Sequence, residues 1–187
     1  ERRRATEQQK LLIAELNHRV RNILALIRAL MSQTRREQGS IADIVDTLES
    51  RVKALATAHD MLTAKNWAPT PLRTLFEVEL QAYISATRQR VAMKGPDVAI
   101  LPGAIPIMAL VMHELTTNAA KYGALSDSGT IALSWHCNDD RDLVLTWREK
   151  GGPAVQKPER QGFGTTIINS SIPHELGGEA SIAYKVS

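Results

Sequence analysis

From Ala5 to about Arg36 the chain contains neither Pro nor Gly, and Leu12, Leu16, Val20, Ile23, Ile27 and Leu30 recur at spacings of four and three. That recurrence draws one apolar stripe along a long amphipathic helix. Gly39, within residues 37–40, supplies a C-terminal stop. A second stripe follows at once through Ile41, Ile44, Val45, Leu48, Val52, Leu55 and Leu62. Two long helices with a short connection fold back as an antiparallel hairpin. Each helix buries one stripe, and two stripes only partly cover each other. A homodimer through residues 5–65, closing a four-helix bundle, is therefore expected.

After Asn66 the pattern changes. Pro69, Pro71, Pro96, Pro102, Pro106 and Pro153 punctuate segments of alternating type. Thr70 and Pro71 read as an N-cap and first helical position, which predicts a helix over Leu72–Ala86. Residues 90–93 and 98–101 read as short strands and 105–122 as a helix. Residues 130–136 and 143–149 are strands joined by an Asn138-Asp139-Asp140 turn, 165–176 is a helix, and 180–186 is a strand. Helices interspersed with mostly antiparallel strands imply an α+β sandwich with a mixed sheet and helices on one face. The expected organisation is a helical hairpin, half of a four-helix bundle, over residues 1–66 and the sandwich over 67–187. The chain opens on Glu1 rather than Met and closes on a strand without a return, which reads as a piece of something longer, truncated at its C-terminus.

A length of 187 residues accommodates both parts, and 43% hydrophobic residues is a globular composition. No run approaches the roughly 18 to 20 apolar residues of a membrane span, and no signal peptide opens the chain. No membrane insertion is expected. A lone cysteine, Cys137, excludes an internal disulfide and fits a reducing compartment, hence the cytoplasm. The net charge of +3 is small and only 4% of residues are aromatic, which argues against a nucleic-acid partner.

Four clusters carry candidate chemistry. In the first, Glu15-Leu16-Asn17-His18-Arg19-Val20-Arg21-Asn22, His18 lies two residues past Leu16 and so about 200° around the helix from the apolar stripe. A lone exposed histidine is usually just solvated. An imidazole of ordinary basicity is nevertheless a competent nucleophile near neutral pH, and Glu15 and Asn22, at i−3 and i+4, share its face. The second runs from His113 to Gly123. Met108, Met112, Leu115 and Ala119 make a stripe that can face the sheet, while Ile107, Glu114, Asn118 and Lys121 make another. The latter aligns a carboxylate, an amide and an ammonium, groups that suit a metal and phosphate. The third, Trp147-Arg148-Glu149-Lys150-Gly151-Gly152-Pro153, ends a strand in a turn. The fourth, Gln161-Gly162-Phe163-Gly164-Thr165-Thr166, is a Gly-rich turn opening a helix, a weak signal alone but suited to close backbone approach by phosphate.

Taken in order, these clusters resemble the boxes of histidine kinases. The run Asn118-Ala119-Ala120-Lys121-Tyr122 resembles the N box of the ATPase superfamily that includes gyrase. The resemblance implies ATP and Mg²⁺ as cofactors, with Asn118 and Glu114 as Mg²⁺ ligands, Glu114 alternatively as general base, Lys121 on phosphate and Tyr122 beside the nucleotide. Most histidine kinases carry Asp-x-Gly-x-Gly where this chain has Trp147-x-Glu149. That substitution, with His113 opening the N box, resembles the HWE subfamily, named for those three residues. Glu149 then takes the place of the Asp that accepts from the adenine amine, with Gly151 and Gly152 in the turn beside it. The segment Gly162, Phe163, Gly164 and Thr165 resembles the G2 box, and the short span before it resembles the short lid of HWE kinases.

His18 is the implied phosphoacceptor. Arg19 stands where most histidine kinases place an acidic residue, so the base falls to Glu15 or Glu114. The implied activity is ATP-dependent autophosphorylation on His18 and transfer to an aspartate of a response-regulator receiver domain, under an upstream sensory domain on the same chain. The alternative is a nucleotide-binding signalling scaffold without kinase activity. His59, on the second stripe, His136 and His174 read as ordinary structural or surface residues. None has metal-ligand spacing with Cys137.

Overall fold

The computed structural model describes residues 20, 21, 24, 25, 27, 28, 30–32, 40–86, 90–154 and 162–184. The expected roles of Glu15, His18 and Asn22, and the short lid before Gly162, therefore lie outside the described residues. The chain divides into two units, residues 1–52 and 53–187.

In the first unit the described residues between 20 and 32 are helical (α1), and helix α2 (Ile41–Ala64) begins after Ser40. Ser40 caps it reciprocally with Asp43: Asp43 N–H donates to Ser40 Oγ at 3.1 Å, and Ser40 N–H donates to Asp43 Oδ2 at 3.2 Å. Two orphan donors of the first turn are satisfied this way. Leu30 and Arg51 are buried, whereas Val20, Leu24, Met31, Ile41, Val45 and Val52 stay open to solvent, Ile41 at 82%.

The second unit is built on α2's last turns, where Ala54, Ala58 and Leu62 are buried. Strand β1 (Thr70–Pro71) leads into α3 (Leu72–Ala86), followed by β2 (Val91–Lys94), β3 (Ala99–Ile100), α4 (Ile105–Lys121), β4 (Thr130–Cys137) and β5 (Leu143–Lys150). Helix α5 (Phe163–Thr166) continues through a π-helical stretch, Ile167–Ser171, into α6 (Ile172–Leu176). The main sheet has the order β2-β4-β5, with β2 parallel and β5 antiparallel to β4, while β1 and β3 form a separate antiparallel pair.

Along β4, Ile131, Leu133 and Trp135 are buried and Thr130, Ala132, Ser134 and His136 exposed, so one face of the sheet is covered and the other faces solvent. The covering layer joins Leu72, Leu75, Phe76 and Leu80 of α3 and Ile105, Met108, Ala109 and Met112 of α4 to Leu133 and Trp135 in one core. Each of the large fully buried side chains contributes about 1.5–3 kcal/mol. Trp135 anchors this layer: Phe76 meets its ring edge-on at 5.3 Å, Arg73 lies 5.0 Å over it, and its indole N–H donates to Pro96 O at 2.8 Å. The architecture is the expected one, helical at the N-terminus with an α+β sandwich after it.

Four local expectations are corrected. Thr70 and Pro71 do not cap α3. They pair with Ile100 and Ala99, and Leu72 N–H donates to Val98 O at 2.8 Å, so strand pairing sets the helix start. The last helix starts at Phe163 and widens before Pro173. Proline lacks an N–H and its ring crowds the carbonyl of the preceding turn, a strain that a π stretch relieves. After Gly177, which ends α6 in the left-handed region at φ 65°, no strand forms over residues 178–184. His59, placed by pattern on the apolar stripe, is exposed and meets the edge of Trp67 at 6.0 Å.

Candidate functional site

Helix α4 is apolar on nearly every side in its first turns, with Ile105, Ile107, Met108, Ala109, Leu110, Val111 and Met112 all buried. Pro106 sits in its first turn, where a missing N–H is harmless. The helix surfaces only at its C-terminal half, where Asn118, Lys121 and Tyr122 are exposed, while Glu114 stays 6% exposed. Thr116 and Thr117 hydroxyls donate back to Met112 O and His113 O at 2.6 and 2.9 Å, so both serve their own helix. The helix closes with Tyr122 N–H and Gly123 N–H both donating to Asn118 O, at 2.8 and 3.0 Å.

Strand β5 delivers the next two residues. Trp147 pairs with Leu133 and Glu149 with Ile131, so both leave the sheet on the side that carries the helices. Glu149 Oε2 accepts from Ala124 N–H at 2.8 Å, and Oε1 accepts from the Trp147 indole N–H at 2.9 Å. Only glycine fits at 123: a methyl there would overlap Glu149 Oε2 and come within 2.9 Å of Ala119 Cα. Gly152 is equally close on the other side, where a methyl would lie 2.8 Å from Ala124 N and Cα. Gly151 adopts φ 71°, the left-handed turn that ends the strand.

The Gly-rich turn meets α4 from a third direction. Gly162 is exposed, and both the backbone N–H and the hydroxyl of Thr166 donate to its carbonyl at 3.1 Å. Phe163 and Gly164 are buried, Phe163 anchoring the turn in the core. A Cβ on Gly164 would come within 3.0 Å of Glu114 Cβ and 3.3 Å of Asn118 Nδ2. Glycine is thus what lets α5 lie directly on the helix face carrying that carboxylate and amide.

His113 points elsewhere. It is 18% exposed, with Nδ1 4.0 Å from Glu79 Oε2 on α3. Burial pushes the Glu79 carboxyl up to about 7. Among the described residues no group of three His, Cys, Asp or Glu could hold a metal ion by itself, and no helix is long and apolar enough to cross a membrane. The structure thus gathers Glu114, Asn118, Lys121, Tyr122, Trp147, Glu149, Gly152, Gly162 and Gly164 around the C-terminal half of α4. It turns His113 toward α3 and Phe163 into the core.

The pattern gives no hint of Arg90 and Ala124, which also meet here. Arg90 reaches the loop after α4 across more than thirty residues of sequence, and its partners are backbone carbonyls, which leave no mark in a sequence. Gly123 enters the sequence reading only as the last residue of the cluster that opens at His113.

The HWE histidine kinase family matches residues 15–97 of the chain. Over 181 residues, 94% of the chain, it is 36% identical to the blue-light-activated histidine kinase 1 of Erythrobacter litoralis. Residues 15–97 thus carry the HWE histidine kinase family's pattern, and the likeness to kinases of that kind runs along nearly the whole chain. This chain is also 32% identical over 188 residues, 98% of its length, to the blue-light-activated histidine kinase of Brucella anthropi. The chain spans 50% of the first relative's length and 38% of the second's.

Among solved structures, a blue-light-activated histidine kinase of Erythrobacter litoralis matches at TM-score 0.57 and 21% identity, over 91% of this chain and 58% of that one. Its histidine kinase domain matches at TM-score 0.51 and 19% identity, over 80% of this chain and 82% of that one. At those identities the likeness carries the fold. The three residues that carry the resemblance to the HWE subfamily occupy two different settings here: Trp147 and Glu149 bond to each other beside the loop after α4, and His113 lies against α3.

Proposed function

We propose that the chain is the catalytic core of a sensor histidine kinase that moves the γ-phosphoryl group of ATP to His18 and then to an aspartate of a response-regulator receiver domain. The observation that carries this reading is the close approach of Gly164 to Glu114 and Asn118, which puts a glycine-rich helix start on the helix face that bears a carboxylate and an amide. Backbone amides at a helix start suit phosphate, and hard oxygen donors suit Mg²⁺. Mg²⁺ usually takes one or two protein ligands and completes its shell with water and phosphate, so Glu114 and Asn118 are a sufficient donor set. When bound there, Mg²⁺ would neutralise charge on the phosphate oxygens.

The chain's own groups take the remaining roles. Lys121 and the Gly162–Thr165 turn hold phosphate, and Tyr122 lies beside the nucleotide. Each Glu149 oxygen already accepts one hydrogen bond and keeps a lone pair, which leaves the carboxylate able to accept from the adenine amine. His113 supports α4 from the α3 side. A His18 ring nitrogen attacks the γ-phosphorus in line as the bond to the β,γ-bridging oxygen breaks and ADP leaves, and the imidazole proton passes to Glu15, or to Glu114 where that carboxylate does not ligate Mg²⁺. Phosphoacceptor hairpin and ATP-binding domain divide near residue 66. The exposed Ile41, Val45 and Val52 support pairing of two hairpins over residues 5–65. The two relatives are named for activation by blue light, and an upstream sensory domain of some kind, working in the cytoplasm, belongs to the same reading.

The test is incubation with γ-labelled ATP and Mg²⁺, with and without His18→Gln. Acid-labile label in wild type and none in the variant is expected. Label that survives in His18→Gln would place the acceptor elsewhere. Bound ATP with no label in either protein would favour a nucleotide-binding scaffold.

A further inference from the structure

The loop between α4 and β4, residues 123–129, contributes no side chain to the nucleotide reading, yet it is gripped from two sides. From β5, Glu149 Oε2 accepts from Ala124 N–H at 2.8 Å. From the start of β2, the Arg90 guanidinium donates three hydrogen bonds into the same loop. Nε donates to Gly129 O at 2.7 Å, and Nη2 donates to Ala124 O at 2.7 Å and to Asp127 O. Arg90 O in turn accepts from Ile131 N–H at 2.7 Å, which ties the arginine's own backbone to the strand leaving the loop. The peptide groups of Ala124 are therefore held at both ends, its N–H by a carboxylate and its C=O by a guanidinium.

We propose that Arg90 is a positioning residue of the nucleotide site. Its guanidinium fixes the loop 123–129, and through Ala124 it fixes the Glu149 carboxylate and the end of α4 that presents Asn118, Lys121 and Tyr122. The role rests on reading this surface as the nucleotide site. The chemistry calls for arginine in particular: a planar fork can meet carbonyls lying in different directions at once, whereas the lysine ammonium is a point charge on a flexible stem. Hydrogen bonds that involve a charged group are also roughly twice as strong as neutral ones, so three carbonyls converging on one cation make a stiff joint. A loose loop would let Glu149 follow Ala124 or lose it, and the acceptor for the adenine amine would no longer be preset.

The experiment uses residues 1–187 carrying Arg90→Ala or Arg90→Lys. Three quantities are read: amide exchange over 123–129 without nucleotide, affinity for a fluorescent ATP analogue with Mg²⁺, and the rate of His18 phosphorylation at saturating ATP. Loss of the fork is expected to speed exchange at Ala124 and weaken the analogue by about tenfold, with the saturating rate changed by less than about twofold. Arg90→Lys should fall between wild type and Arg90→Ala, and because it keeps the stem and charge it stays readable even where Arg90→Ala unfolds. Faster loop exchange with unchanged analogue affinity would make Arg90 merely structural and overturn the proposal, as would unchanged exchange. Wild type that fails to bind the analogue would overturn the nucleotide reading itself. Binding that survives Arg90→Ala overturns only the role of Arg90.

Discussion

Gly123→Ala tests the packing on which the site depends. A methyl at 123 has two neighbours to displace. Glu149 Oε2 ends a flexible side chain and can swing aside, but only by giving up the bond from Ala124 N–H. Ala119 Cα, 2.9 Å from the added carbon, is helix backbone with no such freedom. A hydrogen bond to a charged group is worth about 1.5–3 kcal/mol, and the low end applies because Glu149 is exposed. Crowding the helix adds about 1–3 kcal/mol. The lower unfolded-state entropy of alanine returns roughly 0.4–1 kcal/mol. The expected net loss is therefore about 1.5–4 kcal/mol, or a fall of roughly 10 °C in Tm for a domain of this size. Urea and thermal unfolding measure it, with Gly103→Ala as the control, since a methyl at 103 meets nothing within 4 Å. If Gly123→Ala unfolds within about 0.5 kcal/mol of that control, the close approach of Glu149 to the loop is not a real constraint.

Two further substitutions separate stability from binding. Burial raises Glu79 from 4.5 to about 7, so the folded protein holds a proton there that the unfolded chain releases above pH 4.5. Wild-type stability should then fall as pH rises from 4.5 to 7, by at most about 3 kcal/mol. Glu79→Gln cannot ionise and should gain on wild type across that window. Urea unfolding at pH 5 and pH 8 reads the gap, and an equal gap at both pH values contradicts the burial effect. Gly162→Ala meets no neighbour within 4 Å and lies at an ordinary φ of −76°, so stability should stay within about 0.5 kcal/mol of wild type. A side chain there should still hinder backbone approach to phosphate and weaken ATP by about tenfold in a calorimetric titration, whereas unchanged affinity would remove the turn from the site.

Much of the fold was legible because its signals are local. The helix at Ile105–Lys121 follows from the apolar stripe Met108, Met112, Leu115 and Ala119, and the strand Thr130–Cys137 from a run that the Asn138-Asp139-Asp140 turn ends. Failures came where a distant partner outvoted the local signal. Thr70-Pro71 has the chemistry of a helix start, yet pairing with Ala99 and Ile100, some thirty residues on, claims it for a strand. Residues 180–184 have strand-like composition but gain no partner strand among the described residues, and alternation alone cannot supply one.

The site divides in the same way. Asn118, Glu149 and Gly164 stand out by residue type and order, while what holds them together is mostly backbone. Ala124 N–H, the carbonyls gripped by Arg90 and the space left by Gly123 have no sequence signature. Nor does pattern tell that His113, one residue from Glu114, turns to a buried carboxyl on another helix.

The central claim is that the surface around the C-terminal half of α4 binds nucleotide, and titration of isotope-labelled protein with Mg²⁺·ATP, followed by NMR, tests it most directly. The largest shifts should fall on Asn118 to Ala124, the Trp147 indole N–H and Gly162 to Thr166, while Ala132, Ser134 and Thr146 on the opposite face of the sheet stay still. Saturating ATP that leaves those resonances unmoved, or moves the opposite face instead, would contradict the account.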